Sequence, residues 1–357
     1  MKALIAAGGR ATRLRPITWT RNKHLIPLAN KPMLANAIEK LVDAGITEIA
    51  VNLNPGDTEI AAVFGDGSAY GAKLTYIEQH GGALGIAHVV KNAKEFLGDD
   101  SFVFYLGDNI ILGSLRRFVD RFERENLDVL LALSRVPDPQ RFGVPVIENG
   151  RVVKVIEKPT EHISDFAVTG IYLYSSKVFD ALVDLKPSAR GEYEISDLHT
   201  LMIDRGSAVG FEEITGWWKD TGTPKDLLEG NALILNDRKV WQIRNEGTVD
   251  ETAVIRGDVD VGKGTVVGRN VIVRGPAVIG ENVVLEDCYI GPYSSIGNDA
   301  KIHGATIENT IVFSGVTVKD CHIVDSLLGQ NATITKAANY PPRGHRLIAG
   351  DNSSIEL

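Results

Sequence analysis

An α/β domain with a mostly parallel sheet, followed by a parallel β-helix, is the fold class this sequence predicts. Three observations predict it. Strand-like and helix-like segments alternate up to about residue 240. Two strand-like segments end in glycine turns, Gly8-Gly9 and Gly107-Asp108. From about residue 246 an aliphatic residue recurs at every sixth position.

Residues 2–7 form a short apolar run around β-branched Ile5 and read as a strand. Residues 32–44 set Leu34, Ile38, Leu41 and Val42 on one helical face. Residues 46–53 read as the next strand, 59–64 as helix, 74–77 as extended, 85–96 as helix and 102–106 as a buried strand. Such alternation implies right-handed crossovers and helices on both faces of a sheet. Ligands of such sheets bind beyond the carboxyl ends of strands, where both glycine turns fall. Residues 225–244 are helical in pattern and lead into the second domain.

There Ile255, Val261, Val267, Val273, Ile279 and Leu285 hold a period of six. After a shift of one, the period resumes at Ile290, Ile296 and Ile302, and Val312 and Val318 extend it more loosely. Helical periodicity cannot hold a strict six. A coil of three short strands, with the apolar residue pointing inward at each corner, can. The domains are therefore 1–240 and 246–335, with a tail at 336–357.

A length of 357 residues, 44% of them hydrophobic, exceeds one ordinary core. A net charge of −8 argues against nonspecific nucleic-acid or membrane binding. Two cysteines, Cys288 and Cys321, make neither a disulfide framework nor a structural zinc site. The chain enters a strand at once and has no apolar stretch long enough to span a bilayer. A cytoplasmic protein is expected. The open ends and flat faces of a β-helix favour a homo-oligomer.

Within this acidic chain, the stretch from Ala7 to Met33 gathers Arg10, Arg13, Arg15, Arg21, Lys23 and Lys31 around the first glycine turn. Gly8 and Gly9 allow close backbone approach, and exposed N–H groups there cradle phosphate oxygens. Arginine forks and lysine point charges suit a polyphosphate. The spacing fits neither a P-loop nor a dinucleotide-binding glycine motif.

This segment, AGGRATRLRPITWTRNKHLIPLANKPM, resembles the signature of the sugar nucleotidylyltransferases, in the long form that carries a C-terminal left-handed β-helix. The resemblance implies a Rossmann-like nucleotidyltransferase domain with a mixed, mostly parallel sheet. It implies transfer of dTMP from dTTP, or of UMP from UTP, to a hexose 1-phosphate, with glucose 1-phosphate foremost and Mg²⁺ as cofactor. Ala11 departs from the signature, which has glycine there. A positive φ at that position would cost alanine about 1 kcal/mol.

Further site residues follow from the resemblance. Asp108, ending a strand in LGDN, and Asp220, in WWKDTGT, are the implied Mg²⁺ ligands, although each alone also reads as a turn or capping residue. Glu157 and Lys158 are implied at the sugar phosphate, with a surface ion pair as the plain alternative. Gly143, Val168 and Gly170 line the implied sugar site, and the two glycines leave room for a hexose ring. Among the acidic residues of 190–197, Asp197 reads as a helix cap. Gly8, Gly9, Arg10, Ala11, Thr12 and Arg13 are expected at the nucleotide. Gln79 and Gly85 are expected to select the base. Arg13 is assigned to the leaving pyrophosphate and Lys23 to the α-phosphate.

Two rival readings remain. The β-helix suits a hexapeptide-repeat acyltransferase, with His303 or His322 at hand, though no long loop interrupts the repeats. A degenerate site would suit a nucleotide-sugar-binding regulator, which only Ala11 favours.

Overall fold

The structure is a computed structural model that describes residues 1–9, 11–82, 84–237 and 244–336. Arg10 and the tail beyond Lys336 lie outside the described residues. By backbone proximity the chain divides into one unit, Met1–Gly230, and a second that begins at Asn231. The division falls inside a helix, upstream of the boundary read from the sequence.

In the first unit, β1 (Lys2–Ala6) precedes a small ladder of β2 (Pro27–Leu28) with β3 (Lys31–Pro32), then α1 (Met33–Asp43). β4 (Glu48–Leu53), α2 (Glu59–Phe64), β5 (Lys73–Glu78), α3 (Ile86–Asn92), α4 (Lys94–Leu97) and β6 (Phe102–Leu106) follow. Next come β7 (Asn109–Ile111), α5 (Arg116–Arg124), β8 (Val129–Arg135), β9 (Gly143–Glu148), β10 (Arg151–Glu157) and β11 (Phe166–Tyr174). The unit closes with α6 (Val178–Asp184), α7 (Ile195–Asp204), β12 (Val209–Glu213), β13 (Trp218–Asp220) and α8 (Pro224–Asn236).

β6, β1, β4 and β5 pair in parallel. β11 enters antiparallel beside β6 and also pairs with β8 and β9. β8 takes β12 in parallel, and β10 closes the other edge against β9. Leu4 packs with Phe102 and Phe104 on one face, while Ala3 and Ile5 pack with Val103, Tyr105 and Leu41 on the other. A parallel strand buried on both faces reads as an unbroken apolar run, as residues 2–7 and 102–106 do.

Two helices differ from their sequence outlines. The 85–96 segment breaks at Ala93 into α3 and α4. In the 225–244 segment α8 closes at Asn236, residues 238–243 lie outside the described residues, and Arg244 donates its backbone N–H to Asp260 Oδ1 at 3.0 Å within the second unit. Among the described residues, no helix is long and apolar enough to cross a membrane.

The second unit is a left-handed parallel β-helix of three sheets. Its register explains the sequence period. Ile255 pairs with Val273 and Val261 with Ile279, one coil being three sixes. The next coil drops a residue, so Ile279 pairs with Ile296 and Leu285 with Ile302. The coil after that drops another, pairing Ile296 with Val312 and Ile302 with Val318. The loosening along the sequence is thus a shortening of corners. The repeating residues lie inside strands, as Val273 does in Ile272–Arg274, and not at corners as expected. The corners fall to left-handed residues such as Gly264, Asn270, Asn282 and Asp299. Glycine and asparagine tolerate that backbone best.

Behind β11, the His199 ring meets Tyr172 edge-on at 4.8 Å, and its Nε2 lies 2.6 Å from the Tyr174 hydroxyl. Burial holds the His199 pKa down to about 3. The unfolded chain therefore binds a proton near pH 6.5 that the folded chain refuses. The stability this neutral histidine permits is full above 6.5 and is lost as pH falls toward 3. His199→Gln, which keeps a hydrogen-bonding tip without titrating, is expected to remove ~2 kcal/mol of the stability loss between pH 7 and pH 5. Denaturant midpoints of both proteins at the two pH values check this.

Candidate active site

β1 delivers the chain into the first glycine turn. The Ala7 N–H closes on the Asn52 carbonyl at 2.9 Å. Gly9 has φ 119°, donates its N–H to Asn54 Oδ1 at 3.1 Å and accepts from Asn54 Nδ2 at 3.3 Å. Ala11 sits at φ 41° and ψ 45°, the left-handed conformation its departure from glycine made costly. Its carbonyl is used twice, by the Leu14 N–H at 3.0 Å and the Thr18 hydroxyl at 2.8 Å. These bonds hold the strained residue in place. Thr12 and Arg13, both exposed, begin a single turn that ends on buried Leu14.

Lys23 is buried in the turn Lys23–Leu25, which Asn22 caps by accepting the His24 N–H. Its Nζ meets Asp108 Oδ2 at 2.5 Å. The Asp108 side chain keeps 24% exposure, enough to face a ligand as well as Lys23. Burial pushes the Asp108 carboxyl up, but the charge of Lys23 and bonds from Lys23 and Asn109 hold it down to about 2. Neighbouring His24 is kept neutral, burial lowering it to about 4 against the pull of Asp108.

Asp220 reaches the same place along a different strand. β13 runs antiparallel to β7, setting Asp220 opposite Asn109. Thr221 ties its N–H and hydroxyl to the Asp108 carbonyl at 3.2 and 2.8 Å. Burial and the Asp108 charge raise the Asp220 pKa to about 6. Two neighbouring carboxylates, one of them raising the other's pKa, are hard oxygen donors suited to a divalent cation. Among the described residues there is no group of three or more His, Cys, Asp or Glu that could hold a metal.

Asp108 and Asp220 open into a cavity of about 480 Å³ that Arg13, Glu157 and Lys158 also line. Glu157 Oε2 accepts from Ser196 Oγ at 2.8 Å, and Lys158 Nζ lies 3.4 Å from Glu157 Oε1. Lys158 has φ 45°, held by a bond from its N–H to the Phe142 carbonyl at 3.0 Å. Left-handed backbone in a non-glycine residue is costly and gathers at functional sites. Phe142, Tyr172 and Trp218 supply aromatic wall, Trp218 meeting Phe142 edge-on at 5.1 Å.

Several expectations change. Gly143, Val168 and Gly170 line the cavity, but a Cβ on Gly143 would strike Ser196 Oγ at 2.7 Å, and one on Gly170 would strike Leu106 at 2.5 Å. The two glycines make room for these neighbours rather than directly for a sugar ring. Asp197 makes no capping hydrogen bond and lies inside the first turn of α7. Gln79 and Gly85 line neither this cavity nor the one beside the glycine turn. Gln79 is buried, with Nε2 on the Gly82 carbonyl at 2.9 Å and Oε1 beside Gly8. Gly85 is required by backbone, since a Cβ would lie 2.6 Å from the Tyr193 carbonyl. Arg13 stands beside Gly222 in the cavity of Asp220, apart from the cations nearest the glycine turn.

Asn109 is the residue the sequence reading missed. Its Nδ2 donates to Asp108 Oδ1 at 3.0 Å, and its Oδ1 accepts from Trp218 Nε1 at 2.6 Å and the Gly170 N–H at 3.2 Å. One buried amide thus aligns a candidate ligand, an aromatic wall and the sheet. Its place beside Asp108 in LGDN was the only signal.

The nucleotidyl transferase family profile matches residues 2–237. The chain is similar to the low-salt glycan biosynthesis nucleotidyltransferase Agl11 of Haloferax volcanii, 42% identical over 361 residues and covering 100% of both chains. It is 40% identical to a glucose-1-phosphate thymidylyltransferase of Streptomyces griseus, covering 100% of this chain and 99% of that one. A solved structure from Bacillus anthracis, described as a glucose-1-phosphate thymidylyltransferase in complex with sucrose, is 41% identical. It covers 65% of this chain and 94% of that one, with a TM-score of 0.62.

Ala11→Gly relieves the left-handed strain at the cost of extra freedom in the unfolded chain. A net gain of up to ~1 kcal/mol is expected, read as a higher denaturant midpoint at unchanged slope.

Proposed function

The chain belongs to the nucleotidyl transferase family, and from that premise we propose that it transfers dTMP from dTTP to glucose 1-phosphate, giving dTDP-glucose and pyrophosphate. The observation that carries the reading is one cavity in which Lys158 and Glu157 face Asp108, Asp220 and Arg13. The thymidylyltransferases among its relatives support the choice of base and sugar. A UTP-dependent or N-acetylhexosamine-1-phosphate reaction differs from it by small pocket changes, since one methyl group is worth only about 1–3 kcal/mol.

In this reaction a phosphate oxygen of the sugar phosphate attacks the α-phosphorus. The bond from that phosphorus to the bridging oxygen breaks, and pyrophosphate leaves with the electron pair. The nucleophile is already anionic, so no protein base is needed, and catalysis rests on alignment and charge. Lys158 holds the sugar phosphate, and Glu157, steadied by Ser196, accepts from sugar hydroxyls. Lys23 neutralises the α-phosphate, and Arg13 supports the phosphates at the Asp220 end. Gly8, Gly9 and the turn to Thr12 carry the nucleotide backbone. Asp108 and Asp220 would hold Mg²⁺, which supplies charge neutralisation to the phosphates when bound.

A pyrophosphate-release screen across nucleoside triphosphates and sugar 1-phosphates, with and without Mg²⁺, tests the reading. Strongest release is expected with dTTP and glucose 1-phosphate in Mg²⁺. No release from any pairing rejects it. Asp108→Asn and Lys23→Ala are each expected to lower turnover by about 10²–10³ while the proteins remain folded. Near-normal turnover in either variant removes that residue from the reaction.

A further inference from the structure

A second cavity of about 570 Å³ lies beside the glycine turn. Gly9, Asn22 and Lys23 line it from the segment after β1, and Asn54, Asp57 and Glu59 from the segment after β4. β1 and β4 are parallel neighbours that end together, with Ala6 opposite Asn52, so the two segments leave the sheet side by side. The segment after β1 has little regular structure of its own. Between Gly9 and Lys23 it makes only the single turns Thr12–Leu14 and Ile17–Trp19. Such a backbone is placed largely by the bonds it makes to its surroundings.

One loop holds that segment near both of its ends. The Asn54 amide closes on Gly9 from both sides, accepting its N–H at 3.1 Å and donating to its carbonyl at 3.3 Å. Asp57 Oδ2 accepts from Asn22 Nδ2 at 2.5 Å, and Glu59 Oε2 accepts the Asn22 N–H at 2.9 Å. The loop is itself tied together, the Asp57 N–H reaching the Asn54 carbonyl at 3.1 Å and the Glu59 N–H reaching Asp57 Oδ1 at 3.1 Å. Asn22 Oδ1 accepts the His24 N–H at 2.9 Å and lies 2.9 Å from His24 Nδ1. Asn22 therefore stands between the loop and the turn that sets Lys23 on Asp108. We infer that the loop from Asn54 to Glu59 is a positioning clamp for the reaction. It fixes the spacing between the glycine turn and Lys23, and Asp57 and Glu59 are positioning residues that act through Asn22. The inference rests on the nucleotidyl-transfer reading above, in which the glycine turn and Lys23 serve one triphosphate. A ligand held at two points gains fully from both only where their spacing is set beforehand. Two carboxylates beside a site for an anion are unfavourable unless they have another task, and their bonds to Asn22 are that task.

Steady-state kinetics with dTTP and glucose 1-phosphate, joined to calorimetric titration of dTTP, test the clamp. Asn22→Asp keeps the acceptor for the His24 N–H but sets a third carboxylate against Asp57 and Glu59. It is expected to weaken dTTP about tenfold, in KM and in titration alike. The KM for glucose 1-phosphate should stay within about twofold. Asp57→Asn leaves one oxygen where two are used and should lose part of the same affinity. The double variant Asn22→Asp/Asp57→Asn exchanges donor and acceptor, keeps the net charge and allows every bond to re-form. It should bring dTTP back to within about threefold of the wild type. Glu59→Gln, which keeps an acceptor, should lose less than Glu59→Ala. Should Asn22→Asp fail to fold, Asp57→Ala carries the same measurement. Equal losses for both substrates, unchanged dTTP affinity in the single variants, or a double variant no better than Asn22→Asp alone each overturn the clamp and leave the transfer reading standing. A wild-type protein that releases no pyrophosphate from any substrate pair overturns the transfer reading and the clamp together.

Discussion

The contact between the Lys23 ammonium and the Asp108 carboxylate organises the whole catalytic unit. It joins a turn near the amino terminus to the end of a central strand, and it stands between the two cavities. A buried pair of this kind is poor evidence for stability, because desolvation consumes most of the attraction. Its value is positional. Removing the lysine would leave Asp108 and Asp220 as like charges at close quarters. The arrangement therefore needs positive charge, which Lys23 supplies.

Much of the surrounding structure can be read as holding that contact in register. The Asn22 cap fixes the turn that carries Lys23. Asn109 fixes Asp108, and the ladder of β13 with β7 fixes Asp220. Strain is concentrated in the same neighbourhood, at Ala11 and Lys158, where left-handed backbone is pinned by hydrogen bonds to the Ala11 carbonyl and from the Lys158 N–H. Such geometry persists only where surrounding contacts over-determine it.

The architecture was legible in the sequence because it rests on periodicity. Buried parallel strands announce themselves as unbroken apolar runs, and the β-helix as a beat of six. Even the slip in that beat carried structural meaning, as the corners lost one residue in each of two successive coils. The glycine turn and its cations were visible as a local reversal of charge. What sequence could not show was partition. Six cations in one stretch looked like one site, yet the fold sends Arg13 to one side of the ion pair and Arg15 and Arg21 to the other. Gly143 and Gly170 looked like space for a sugar because glycine has no side chain, whereas the space is taken by Ser196 and Leu106. Asn109 was invisible as a connector because nothing in a linear text tells where an amide points.

That partition bears on direction. An enzyme that transfers a nucleotidyl group between two anions has to keep them apart until they align and let one leave without recrossing the other. A single continuous cationic basin would bind both phosphates without ordering them. The described residues line two cavities, with Lys158 and Arg13 at one and Arg15 and Arg21 at the other, and the pair of Lys23 with Asp108 links the two linings. Lys23, Asp108 and Asp220 are held together at that link by their neighbours, and charges assembled in this way leave little reorganisation for a reaction.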